Sequence, residues 1–303
     1  DIAFLNGWRN CTAFAYATCE GARKVREKIL ITVKTYPVLS RKYAELVCTA
    51  GVSESGEWRR LYPVRFRLLC DEKQFRKYQW VEAEIEKPSD DSRPESFRII
   101  HDSLKIIGEP LPTNNFWSER KANFLDKVEI HTNLTQLIER AHRNELSLAA
   151  FKPTRMLDFA WKETEREWDA AKLAILDKER RQLDLFVGKE DLKKQFEVVD
   201  KVPYIFSYEF EDDRGKQSKL MIEDWEIGAL YRNCLRDARG DENVAIEKVR
   251  AKYWDEFVES GDVDLTLILG TTHKFHQWKT KNPFVIVGVF YPRRNIQGDL
   301  FQG

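Results

Sequence analysis

The sequence predicts an α+β protein, with a strand-rich N-terminal unit of small-barrel or sandwich type, a mainly helical middle and a mixed C-terminal unit. Three observations carry this. Short β-branched and aromatic runs crowd residues 28–112, helical spacing takes over after Trp117, and strand patterns return near the C-terminus. The reading places an irregular extension at 1–27, the strand-rich unit at 28–112, the helical segment at 113–200 and the mixed unit at 201–303.

The first strand is "KILITVKTYP", an Ile/Val-rich run closed by proline, and "AELVCTAGV" is the second. "SESGE" then reads as a turn in which glycine supplies the positive φ of a tight reversal, returning into "WRRLYPV". "WVEAEIEK" alternates strictly and sets Glu82, Glu84 and Glu86 on one face. "KPSDDSRPES" is a loop by composition, and "FRIIHDSLKIIGEP" reads as a further strand pair.

Ser118 is a candidate helix cap for the pattern that follows. "LSLAAFKPTRMLDFAWKE" returns to strands broken by Pro153, and residues 164–186 read as a charged amphipathic helix able to dock a protein partner. "VPYIFSYEFED" is a strand, a helix begins near Asp224, a second runs over 241–260, and "LILGTTHKFHQWKTKNPFVIVGVFYPRR" closes the chain as two strands around a loop.

Fifty Lys/Arg and fifty Asp/Glu cancel, so overall charge selects no partner. Its distribution is more informative. Trp58 to Trp80 holds seven basic residues against two acids, Gly270 to Arg294 holds five and none, and Ser207 to Asp264 reverses to nine against sixteen. Both basic stretches carry aromatics. Guanidinium and ammonium groups attract phosphates and aromatic faces stack on unpaired bases, so the pattern predicts nucleic-acid binding. Arg59, Arg60, Arg65 and Arg67 would meet phosphates, Trp58 or Tyr62 would stack, and Lys274, Trp278 and Lys279 would add a second contact. The plainer alternative makes the aromatics core and the arginines an ordinary solvated face.

His273 and His276 lie three apart among lysines that would repel a cation, so no metal is expected there; a general base or a phosphate donor fits better. Glu223, Asp224 and Glu226 could share acid/base work with those histidines or hold magnesium, but Asp224 capping a helix is the simpler role. An enzyme acting on nucleic acid or nucleotides is therefore the second reading, and a protein-interaction module the third. No Walker loop, dinucleotide fingerprint, nucleophile elbow or zincin motif is present, and no cofactor is predicted. Five cysteines without a C-x-x-C pair point to a reducing cytoplasm, and no apolar run approaches the ~20 residues that span a bilayer.

"ILITVKTYPVLSRKYAELVCTAG…GEWRRLYPV", "IEDWEIGALYRN" and "LGTTHKF…VGVFYP" together resemble an uncharacterised prokaryotic protein family, over about Lys28 to Pro292. The resemblance implies no activity. It implies a cysteine/histidine knuckle before the "DWE" element in similar proteins, replaced here by "EFEDDRGKQSK" and a tight turn, and it maps the family's histidine loop onto Thr272, His273 and Phe275.

Overall fold

The computed structural model describes residues 24–36, 38–39, 45–64, 74–171, 173–174 and 201–295. The expected extension at 1–27 (but for its last residues), Arg65 and Arg67, and most of the helix expected at 164–186 lie outside them.

The N-terminal unit is a closed barrel. Its strands are β1 (Val25–Lys34), β3 (Glu45–Ser53), β4 (Trp58–Val64), β5 (Trp80–Glu86) and β6 (Ser96–Ile99), joined in the order β1-β3-β4-β6-β5 and shut by β5 pairing with β1. All pairs are antiparallel except β4 with β6. Numbering the barrel strands one to five, the order is 1-2-3-5-4-1, the Greek-key closure of an OB-type barrel. A two-residue strand β2 (Val38–Leu39) edges β3, and β7 (Lys105–Ile107) edges β5.

Period-two alternation builds this barrel. Along β5, Val81, Ala83 and Ile85 point inward to meet Ile29, Ile31, Leu61 and Ile99, while the intervening glutamates stay outside, where Arg26 pairs with Glu82 and Glu84. Gly56 turns the β3–β4 hairpin at φ 87°. Gly51 is glycine for a different reason: a Cβ there would lie 2.0 Å from the Leu30 carbonyl oxygen on the neighbouring strand.

Helix α1 (Asn114–Asn123) opens with a left-handed turn at Asn115, Phe116 and Trp117, so its right-handed winding starts at Ser118. Beyond it lie β8 (Ile130–His131), α2 (Leu134–His142), β9 (Leu148–Phe151) and β10 (Arg155–Glu163). β10 pairs with β11 (Tyr204–Glu211), and β11 with β12 (Gln217–Met221). The tight turn between β11 and β12 is held by Asp212, whose carboxylate accepts from the Arg214 and Lys216 amides. Next come α3 (Trp225–Asp237) and α4 (Glu242–Arg250), which runs on as a π-helical stretch at Ala251–Glu259. Strands β13 (Thr266–Thr271) and β14 (Phe284–Phe290) flank the short helix α5 (His273–Gln277).

β14, β13, β9 and β8 form a four-stranded sheet, and every residue of β13 and β14 is buried. One face carries Ile268, Val285, Val287 and Phe290 against Leu30, Val33, Ala50 and Val52 on the outside of the barrel. The other carries Leu267, Leu269, Ile286 and Val289 against α2, α3, α4 and the β10–β12 sheet. The molecule is thus layered: barrel, central sheet, then helices with a second sheet.

Replacing Gly51 with alanine drives a methyl into the β1 backbone, so the variant should unfold at lower urea with a loss of ~1–3 kcal/mol or more. A midpoint unchanged from the parent would show that β1 and β3 are not this close.

Candidate anion site between barrel and central sheet

Where the barrel meets the central sheet, a cavity of about 470 Å³ opens between them. Its barrel wall is Val33, Thr35, Cys48, Ala50, Arg60 and Tyr62, and the loop from β5 to β6 adds Asp90, Asp91 and Arg93. Leu148, Glu223, Thr271, His273, Val285 and Val287 form the opposite wall.

Arg60 is the central group. Alternation along β4 sends Leu61 into the barrel and Arg60 out toward the sheet, where it is only 2% exposed. Its Nη2 donates to the Ser147 carbonyl at 2.9 Å, while Nη1 is buried with no hydrogen-bond partner. No carboxylate lies within ion-pair reach of it among the described residues. Burial, and then the neighbouring Arg93, pull its pKa down to about 10, so it stays cationic at neutral pH.

Residues from three segments of the chain fix that position. Glu95 accepts from the Ser147 amide at 2.9 Å and its hydroxyl at 2.6 Å, and its own carbonyl accepts from the Arg60 amide at 2.7 Å. The Thr271 amide donates at 2.9 Å to the same Ser147 carbonyl that Arg60 uses. Arg93 donates to the Thr271 carbonyl at 2.6 Å and is neutralised by Asp91, with contacts of 2.7 to 3.2 Å. Although burial opposes it, this Arg93 pairing holds the Asp91 carboxyl well below its ordinary range. The Thr271 hydroxyl, like Arg60 Nη1, is buried without a partner. A buried cation and a buried hydroxyl thus flank a cavity with donors unused, an arrangement that favours an anion.

The residues expected from sequence divide sharply. Arg60, Tyr62, His273 and Glu223 line the cavity. Glu223 is held above the ordinary carboxylate range by burial. Arg59 points away and grips Glu27 at 2.7 and 2.8 Å and Glu57 at 2.8 Å, over the Phe97 ring, so it is not free to meet a phosphate. Trp58 packs against the Phe124 ring in a T-shaped contact, with centroids 5.6 Å apart. Lys274 lies over the Trp278 ring at 4.3 Å; these two and Lys279 sit outside the cavity, with Trp278 64% exposed.

Of the expected pairing of His273 or His276 with Glu223, Asp224 or Glu226, His273 and Glu223 line one cavity, and the other three side chains are bonded elsewhere. Asp224 caps α3, accepting from the Glu226 amide, and with Glu226 it holds the nearly buried Lys77, each at 3.1 Å. Burial works against the Lys77 charge, but the two carboxylates keep its pKa above the ordinary lysine value. His276 turns inward from α5 and bonds Asn144 at 2.8 Å. Asn144 donates its amide to the Ser92 carbonyl at 3.0 Å, so its oxygen accepts and the imidazole carries its proton on Nε2. His276 is therefore a brace for the loop that carries Arg93. Among the described residues no group of three His, Cys, Asp or Glu side chains is placed to hold a metal ion.

Sequence reasoning passed over Arg93, Asp91, Glu95, Ser147 and Thr271. The available signal was the interleaving of acids with one arginine in "SDDSRPES", unusual for a loop that only turns the chain.

Burial first, and then Arg93 and Arg60, lower the His276 pKa to about 4. The unfolded histidine, near 6.5, takes up its proton first as pH falls, so stability is full above that value and declines toward pH 4. His276→Gln should flatten this decline in urea titrations at a series of pH values; an unaltered pH profile would remove the histidine from the brace.

The model of Domain of unknown function (DUF8758) matches residues 25–126, and that of Domain of unknown function (DUF8757) matches residues 130–303. No curated protein matches the chain. Both descriptions agree with the resemblance to an uncharacterised family.

Proposed function

We propose that this chain, a member of the DUF8757 family, binds nucleic acid by taking one nucleotide into the cavity beside Arg60. The observation that carries the reading is the buried guanidinium of a cavity-lining arginine whose Nη1 has no hydrogen-bond partner. Leaving such a donor unmatched costs about 1–3 kcal/mol, and an anionic oxygen recovers it. Two further features support a nucleotide over a bare anion. Apolar walls at Val33, Ala50, Leu148, Val285 and Val287 suit a nucleoside, and Tyr62 offers an aromatic ring. The lining also comes from the second and third barrel strands and the loop between the fourth and fifth, the surface that OB-type barrels use for oligonucleotides.

The contact differs from a broad basic-aromatic surface, because Arg59 and Trp58 are committed to the fold. A cytoplasmic, prokaryotic setting remains part of the proposal, supported by the free thiols Cys48 and Cys234 and by the family resemblance. Among the described residues no helix is long and apolar enough to cross a membrane.

Fluorescence anisotropy with short single- and double-stranded DNA and RNA, over a salt series without added metal, tests the reading. Single strands should bind, with a shallow salt slope of about −0.7 per phosphate engaged. Arg60→Gln should weaken binding ~10- to 100-fold, the worth of a charge-assisted hydrogen bond, and Arg59→Gln should leave it within about twofold. Absence of binding to all four at low salt would overturn the proposal.

A second reading, an enzyme on the same ligand, is favoured by His273 and Glu223 lining one cavity. End-labelled oligonucleotides incubated with the protein should then shorten, and His273→Ala should abolish the cleavage. Intact oligonucleotides with and without magnesium would leave binding as the whole activity.

A further inference from the structure

We propose that the group received at Arg60 is a terminal phosphomonoester, a phosphate with three unesterified oxygens, and not a phosphodiester within a strand. The inference rests on the nucleotide-binding reading and specifies its ligand.

Depth is the first argument. Arg60 Nη1 and the Thr271 hydroxyl are both unpartnered, on residues only 2% and 4% exposed. They belong to one small assembly, since the Ser147 carbonyl accepts from Arg60 Nη2 and from the Thr271 amide, each at 2.9 Å. To meet donors this buried, an oxygen must leave the open surface altogether. A diester has two unesterified oxygens and a chain leaving on either side, so reaching that depth would bury both chain directions. A monoester has one chain direction and can enter phosphate first.

Charge and size agree. Asp91 neutralises Arg93, and Asp90 pairs with Arg98 at 3.2 Å, which leaves Arg60, among the described residues of this wall, the arginine with no carboxylate in ion-pair contact. A buried cation attracts a dianionic monoester more strongly than a monoanionic diester. The cavity of about 470 Å³ lies in the range of small-molecule sites, room for one nucleotide.

The test compares one oligonucleotide in three forms, 5′-phosphorylated, 3′-phosphorylated and hydroxyl-ended, with a mononucleotide and inorganic phosphate as competitors. A phosphorylated form should bind ~10-fold or more tightly than the hydroxyl-ended one, and the mononucleotide should compete better than phosphate alone. That preference should vanish in Arg60→Gln and shrink in Thr271→Val, with thermal melts confirming that both variants fold. Should either fail to fold, protection of the parent from thermal unfolding by the mononucleotide, but not by the matching nucleoside, gives the same answer. Equal, Arg60-dependent binding of all three oligonucleotides would overturn the terminal-phosphate inference and leave nucleic-acid binding standing. Binding of the mononucleotide with none of the oligonucleotides would do the reverse. Binding of nothing would end both.

Discussion

The two-sided burial of the β13–β14 hairpin is the constraint on which the rest of the molecule depends. A strand with water on one face alternates, whereas these strands are apolar but for the terminal Thr266 and Thr271 of β13, because each face meets a different layer. The barrel supplies one cover, and α2, α3, α4 and the β10–β12 sheet supply the other. Neither cover can be removed without exposing an unbroken apolar surface. In place of the open groove of a lone barrel, a bounded cavity remains at the edge of the seam.

The polar network at that edge explains how arginine is tolerated there. Burying a guanidinium is costly unless its donors are matched. Ser147 matches one side of Arg60, and Glu95, Arg93 and Thr271 fix the backbone and side chains around it. The match is incomplete, because Nη1 has no partner. A fold that keeps a buried, half-satisfied cation beside a cavity carries a cost that a binding site recovers when its ligand arrives.

Much of the fold was legible in the chain. Strict alternation at Trp80–Glu86, glycine in the turn before Trp58 and the closing pair of apolar runs are local patterns, and local patterns specify strands. Charge density read along the chain misled where alternation decided the outcome: Arg59 and Arg60 are adjacent, yet one pairs with glutamates and the other enters the cavity. The same holds for the histidine stretch, where one turn of helix sends His273 to the cavity and His276 to Asn144. The loop 87–95 was opaque because its meaning is tertiary. Nothing near Arg93 in sequence reveals that its partner is the Thr271 carbonyl, far along the chain.

The most direct test of the central claim, that the buried Arg60 awaits an anion, is a crystal structure grown with a 5′-mononucleotide. Phosphate density is expected within hydrogen-bond reach of Arg60 Nη1 and the Thr271 hydroxyl, with the nucleoside against Val285 and Val287. An ordered water satisfying Nη1, with the nucleotide absent or bound elsewhere on the surface, would contradict it.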